Sequence, residues 1–284
     1  MRSHNMSESP MKIKRNHRML YISNYLTDRP NQLISLSYFV QYFDCAKSSI
    51  SEDIDFIREV FAYNKIGQIS TVAGVAGGVI FYPQVSPAET QKLLTGIENK
   101  LKTGKRIMPG NYIYLADILQ EADTLNLIAR HIAEHYQEAD IDAVMTIETK
   151  GIGLTVAVAR YLNVPHVIVR RDSTDTEGST ISVNYISGSH QTVKKMELTK
   201  SSLPTGSKVL IIDDFLRNGG TINGLISLLE EFECEPAGVC VFAENTHKER
   251  VPIENYVSFL KIEIVYNKEA GHFELQMLPG NFFE

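Results

Sequence analysis

The chain has 284 residues, of which 43% are hydrophobic and 22% charged, so it carries the apolar content of an ordinary globular protein and is not a disordered chain. At about 100–200 residues per domain, that length predicts two domains. No apolar run approaches the roughly 18 residues that span a bilayer, and three cysteines (Cys45, Cys234, Cys240) without CxxC spacing exclude a disulfide framework and a zinc site and fit a reducing cytoplasm.

The net charge of −6 is unevenly spread. Residues 1–75 hold nine Lys/Arg against seven Asp/Glu, with the basic excess gathered in Lys12, Lys14, Arg15 and Arg18. Residues 1–5 (MRSHN) read as a lead-in and are set aside. Met19, Leu20, Ile22, Tyr25 and Leu26 then recur at helical spacing, followed by the Arg29-Pro30-Asn31 turn. Leu36, Phe39, Val40 and Phe43 form a second apolar stripe, and after Asp44-Cys45-Ala46 a third helix sets Ile50, Ile54, Ile57 and Phe61 on one face. Residues 68–72 and 78–82 alternate as two strands about a Gly/Ala-rich turn. Three helices and a hairpin predict a winged helix-turn-helix over residues 12–82. Pro83 and Pro87 break both helix and strand interiors, which places the domain boundary there and a second domain at 84–284.

That second domain alternates. Helices are predicted near 88–102 and 123–137, then a strand at 143–147, a helix at 153–162 and a strand at 164–169. A polar stretch over 171–200 reads as a long hairpin or loop. Next come a strand at 209–212, a helix near 221–232 and a strand at 238–242. Strands alternating with helices predict an α/β architecture with a largely parallel sheet covered on both faces.

In a helix-turn-helix the second helix inserts its N-terminal residues into the major groove. Here those residues are Lys47, Ser48, Ser49 and Ser51, whose hydroxyls and ammonium suit base edges and phosphates. Glu52, Asp53 and Asp55 follow directly and are expected to interact with the helix macrodipole. Phosphate neutralisation then falls to Lys12, Lys14, Arg15, Arg18 and the wing. The competing reading is a winged helix used only for dimerisation or protein contact.

The most informative stretch is Val209-Leu-Ile-Ile-Asp-Asp-Phe-Leu-Arg-Asn-Gly-Gly-Thr221. A buried strand ends in paired carboxylates, and a glycine loop opens a helix. Loop amides, the helix N-terminus and the Thr221 hydroxyl can cradle a phosphate, while Asp213 and Asp214 can accept from two vicinal ribose hydroxyls, directly or through Mg²⁺. Thr146-Ile-Glu-Thr-Lys-Gly-Ile152 offers a second loop between strand and helix. Arg170-Arg171 closes the next strand, as a surface pair or as added positive charge at the same edge.

The 209–221 stretch resembles the phosphoribosyl pyrophosphate (PRPP) motif of type I phosphoribosyltransferases. That resemblance implies that Asp213 and Asp214 hold the ribose. It also implies that Arg217, Asn218, Gly219, Gly220 and Thr221 wrap the 5′-phosphate, that Phe215 stacks on a purine, and that Thr149, Lys150 and Gly151 bind pyrophosphate. With the winged helix in front, and with Pro109–Ile113, Glu177–Tyr185 and Ser187–Ser189 in place, the whole chain from Lys12 resembles the PRPP-responsive purine operon repressors.

The resemblance implies a cytoplasmic homodimer that binds double-stranded operator DNA and uses the transferase pocket without catalysis. PRPP would be the inducer and the guanosine alarmone ppGpp the co-repressor, with no resident cofactor or metal. It offers Tyr112 as a second aromatic wall opposite Phe215; the alternative for Tyr112 is a core tyrosine. Arg217-Asn218 departs from the small residues common before the loop glycines of active transferases, while Lys194-Lys195 falls in the region of their catalytic hood. The rival reading is therefore a working, xanthine-type phosphoribosyltransferase with an accessory N-terminal domain.

Overall fold

A computed structural model describes residues 13–284 apart from 75–76, 104, 172–177, 188–191 and 246–249. Lys12, the lead-in, Glu177, Gly188 and Ser189 lie outside the described residues, as does the middle of the 73–78 turn. Contacts divide the chain into two units. One runs to Ser86 and takes in Tyr161–Asn163; the other comprises Pro87–Arg160 and Val164–Glu284.

In the first unit the elements are α1 (Arg15–Thr27), β1 (Ile34–Ser35), α2 (Leu36–Phe43), α3 (Lys47–Tyr63), β2 (Gly67–Val72) and β3 (Gly78–Pro83). Asp44 takes a left-handed conformation (φ 48°), which ends α2 and turns the chain toward α3. Ile50, Ile54, Ile57 and Phe61, spaced three and four apart, become the buried face of α3 and meet Ile22, Leu26, Phe39, Ile69, Val79 and Phe81 in one core. The three strands form an antiparallel sheet in the order β1-β3-β2, completing a winged helix.

The second unit continues with α4 (Pro87–Leu101), β4 (Ile107–Met108), β5 (Tyr112–Ile113), α5 (Ala116–Leu119), α6 (Ala122–His135), β6 (Ala143–Ile147) and α7 (Ile152–Leu162). It goes on through β7 (His166–Val169), β8 (Thr180–Ser187), β9 (Thr192–Thr199), β10 (Lys208–Leu216), α8 (Gly220–Glu231), β11 (Glu235–Glu244), β12 (Tyr256–Asn267) and β13 (His272–Pro279). The main sheet has the order β13-β12-β11-β10-β6-β7 and is parallel except for β13. All five residues of β6 and residues 209–213 of β10 are buried, as expected of central strands covered on both faces. The 171–200 region contains the antiparallel ribbon β8–β9, whose Tyr185, Met196 and Leu198 join the core formed by α8 and the sheet.

The order of the strands places the ligand edge. From β6 the chain leaves through α7 toward β7, and from β10 it leaves through α8 toward β11, in opposite directions. β6 and β10 therefore flank the topological switch point, where open α/β sheets leave a crevice at their carboxyl ends.

Away from that edge, His131 on α6 is 8% exposed, accepts from or donates to the Thr90 hydroxyl (3.1 Å), and packs against Phe259, Phe282 and Phe283. Burial pushes its pKa down from 6.5 to about 4, with the Arg130 charge acting the same way and Glu89 opposing. A depressed histidine stabilises the fold only while neutral, so that contribution is complete above about pH 6.5 and is lost as pH falls toward 4. His131→Gln should remove a destabilisation on the order of 2 kcal/mol across that window, seen as a flatter acid limb in urea melts of the second unit.

Candidate functional site

Two loops meet at the switch point. β6 ends into Glu148–Gly151 and β10 ends into Leu216–Gly219. Gly151 is required by their closeness, since a Cβ there would lie 2.5 Å from Thr146 Oγ1 and 3.5 Å from the Asp213 Cα. Gly219 is the N-cap of α8 with φ +81°, and a Cβ would meet the Val251 carbonyl at 2.8 Å. The α8 N-terminus thereby presents its amides to the crevice.

One cavity of about 200 Å³ is lined by Tyr112, Lys150, Asp213, Asp214, Phe215, Arg217, Asn218, Gly219, Gly220 and Thr221, together with Arg171, Tyr185 and Lys194. Residues separated by more than a hundred positions are thus brought together. Of the pyrophosphate-loop residues, Lys150 lines the cavity, while Thr149 and Gly151 are not among its lining residues. Arg171 and Lys194 add two cations. On β9 the alternation of side chains gives Lys194 to the cavity and Lys195 to an ion pair with buried Glu197 (2.6 Å). Four basic side chains (Lys150, Arg171, Lys194, Arg217) against two carboxylates suit a polyanion.

Asp213 is 7% exposed, and its Oδ1 accepts the Asp214 backbone N–H at 2.8 Å. Burial pushes its carboxyl well above the usual carboxylate range; the Asp214 charge adds to this and Arg171 opposes it. Burial therefore disfavours the ionised form of Asp213, and a cation or hydroxyl donors at the pair would favour it. The resemblance had Arg217 wrapping a 5′-phosphate. In the structure Arg217 lines the cavity, with its guanidinium 4.7 Å over the Tyr112 ring and donating to the Gly110 carbonyl (3.0 Å), and its buried Nε and Nη1 make no hydrogen bond among the described residues.

Two arginines that sequence reasoning passed over hold this arrangement. Arg106, 8% exposed, makes a two-pronged pair with Asp117 (2.9 and 2.8 Å) and donates to the carbonyls of Lys100, Thr103 and Tyr114. It thereby staples the β4–β5 hairpin that carries Tyr112. Arg250 donates to the Arg217 carbonyl (3.0 Å) and to Tyr256 (2.9 Å), and pairs with Glu244, which also accepts from Ser258 (2.6 Å). The Val251 N–H reaches the Asn218 carbonyl at 2.9 Å, so this network braces the loop from outside.

In the winged helix, Lys47 and Ser48 are exposed at the start of α3, and Ser49 and Ser51 are half-buried. Lys14 and Arg15 are exposed at the start of α1. The acidic residues differ from expectation. Asp53 lies beyond the first turn of α3, is fully buried, and is gripped by Arg15 Nε (2.9 Å) and Arg18 Nε. Interhelical pairing, rather than the macrodipole, accounts for it. Arg18, 13% exposed, is engaged inside the domain. The wing, residues 67–83, holds no Lys or Arg, so it supplies no phosphate cation. Arg58 of α3 instead ties the helix to the wing through the Ile69 carbonyl and Thr71 hydroxyl, both at 2.9 Å.

Comparison with known proteins agrees with both units. The family described as "Bacterial purine repressor, N-terminal" matches residues 14–83, and the phosphoribosyl transferase domain family matches residues 115–276. A probable purine biosynthesis transcriptional regulator of Streptococcus pneumoniae is 49% identical over 96% of this chain and 99% of its own. A purine biosynthesis transcriptional activator of Lactococcus lactis is 43% identical over 95% and 99%. The adenine phosphoribosyltransferase of Thermoanaerobacter pseudethanolicus superposes with a TM-score of 0.52 at 21% identity, covering 59% of this chain and 99% of that one, which shows the shared fold. A purine-repressor winged helix joined to a type I phosphoribosyltransferase fold, with near full-length similarity to such regulators, means that the chain belongs to the family of bacterial purine biosynthesis transcriptional regulators.

Proposed function

We propose that this regulator is a cytoplasmic homodimer that represses purine synthesis and transport genes by binding operator DNA through the winged helix, and that the second unit is a sensor without transferase activity. PRPP is the inducer: its ribose hydroxyls meet Asp213 and Asp214, its 5′-phosphate meets the amides of Gly219–Thr221, and its pyrophosphate meets Lys150, Arg171 and Lys194. Mg²⁺ arrives with the PRPP. The alarmone ppGpp competes for the same cavity, with its purine between Tyr112 and Phe215, and favours the DNA-bound state.

The observation that carries this reading is the single cavity in which a PRPP-type loop, two carboxylates and four basic side chains converge. Similarity over nearly the whole chain to proteins named as transcriptional regulators supports sensing over catalysis.

An effector shifts DNA affinity only by binding the two states unequally. In a gel-shift titration on purine-gene control DNA, PRPP with Mg²⁺ should move the midpoint to higher protein concentration and ppGpp to lower. A midpoint unmoved by either ligand overturns the sensor. Nucleotide formed from PRPP and a purine base at above about 1 per second would favour the transferase reading. Lys47→Ala should reduce the slope of log affinity against log salt by about 1 for each protomer on the DNA, about 2 for the dimer, without changing PRPP affinity in calorimetry.

A further inference from the structure

Helix α3, which a winged helix offers to the major groove, carries more acid than base. Its only Lys or Arg residues are Lys47 and Arg58, against Glu52, Asp53, Asp55 and Glu59. Most of these charges are engaged within the domain. Asp53 is buried under Arg15 and Arg18, and Asp55 pairs with Arg58, which also donates to the Ile69 carbonyl and Thr71 hydroxyl of the wing. Glu52 differs. Its ion pair with Arg15 is long, at 3.6 Å, and its side chain is 68% exposed, so that pair contributes little.

The helical repeat puts Glu52 one turn after Ser48 on the face opposite Ile50, Ile54, Ile57 and Phe61, and both residues are exposed. Side chains on a helix lean toward its N-terminus, which carries the Glu52 carboxylate toward the end that holds Lys47 and Ser48. A helix that presents Ser48 to base edges therefore brings Glu52 with it. Glu59 lies about two turns further along and stays clear of that end.

A carboxylate between two phosphate strands is repelled by both and has no proton to donate to them. It is tolerated only where the groove offers it a donor. The major groove has two, the N6 amino group of adenine and the N4 amino group of cytosine. Adenine sets N7, an acceptor, beside its amino group, and that atom repels a second carboxylate oxygen. Cytosine shows the groove an amino group with no acceptor on the same base.

We propose that Glu52 is a specificity-determining residue of the winged helix, accepting from the N4 amino group of a cytosine in the operator. The inference rests on the reading that this unit binds operator DNA, and deepens it.

Competition gel shifts of the full chain on purine-gene control DNA test it, with each C·G pair changed in turn to T·A, or its cytosine to N4-methylcytosine. The methylated base still pairs with guanine but turns a methyl group, instead of an N–H, into the major groove. At one cytosine for each protomer on the DNA, both changes should weaken wild-type binding by about 10-fold or more. Glu52→Ala should bind altered and unaltered duplexes equally to within about two-fold at that position, and keep the other base preferences. It should bind unrelated DNA at least as tightly as the wild type, since a repelled charge is gone. Alanine at an exposed helical position keeps the helix, and the methylated duplexes test the unaltered protein should the variant misfold. A variant with the wild-type preference at every position overturns the assignment, as does a wild type indifferent to methylation at every cytosine. Equal weakening on control and unrelated DNA alike also overturns it, and would make Glu52 a brace for Arg15. A wild type that does not prefer control DNA to unrelated DNA overturns the operator reading itself.

Discussion

Asp213→Asn should leave operator binding intact while raising the PRPP concentration needed for DNA release by about 100-fold. The substitution keeps the size of the side chain and the acceptor for the Asp214 amide, but it removes the carboxylate that, in the proposed binding mode, would accept from the ribose and face the Mg²⁺ of PRPP. A hydrogen bond to a charged partner contributes about 1.5–3 kcal/mol, so loss of the stronger of two such bonds accounts for the factor. The variant should also be the more stable protein at neutral pH. A buried acid whose pKa is raised in the folded state costs stability as pH rises from the ordinary carboxylate value through the raised one, and asparagine has no such cost. For the same reason, PRPP binding to the wild type should release a proton, measured as a dependence of calorimetric heat on buffer ionisation enthalpy, and the variant should lose that dependence. A variant that still releases DNA at the wild-type PRPP concentration would place the sensor elsewhere.

The parts of this molecule that were readable in advance are those written as local periodicity or as motif. The Ile50/Ile54/Ile57/Phe61 stripe became the buried face of α3, and Val209–Asp213 became a central strand, because burial on one face or on both imposes those patterns. Asp213 to Thr221 line one cavity because strand, loop and helix N-terminus are contiguous in the chain. What escaped depends on partners far away in sequence. Arg106 and Arg250 sit among neither apolar stripes nor motif residues, and their importance lies in carbonyls and carboxylates that only the fold brings near. Arg217 belongs to the motif, yet its side chain turned to Gly110 and Tyr112, residues more than a hundred positions earlier. β12 and β13 escaped for a different reason. Ile262 and Ile264 alternate with Lys261 and Glu263, but Val265 breaks the polar side of the pattern and weakens the period-2 signal.

Asp53 makes the second large prediction, and it also decides what Arg18 does. The carboxylate has no solvent exposure and is held by two guanidinium groups of α1, so it joins α1 to α3 across the small core of the winged helix. Removing one member of a buried ion pair typically costs 3–5 kcal/mol, because the remaining charges stay desolvated. A domain of this size has little more than that in total. Asp53→Ala should therefore unfold the first unit near room temperature while the second keeps its own transition in calorimetry and still binds PRPP, with operator binding lost. Arg18→Ala separates two roles. As the partner of Asp53 it should lower the melting temperature of the first unit, and with Asp53→Ala the combined loss should fall well short of the sum. As a phosphate contact it would leave stability unchanged and reduce the salt slope of DNA binding by about 1 for each protomer on the DNA. Its 13% exposure and its grip on a buried acid point to the first outcome, with Lys14 and Lys47 left as exposed cations to meet the DNA.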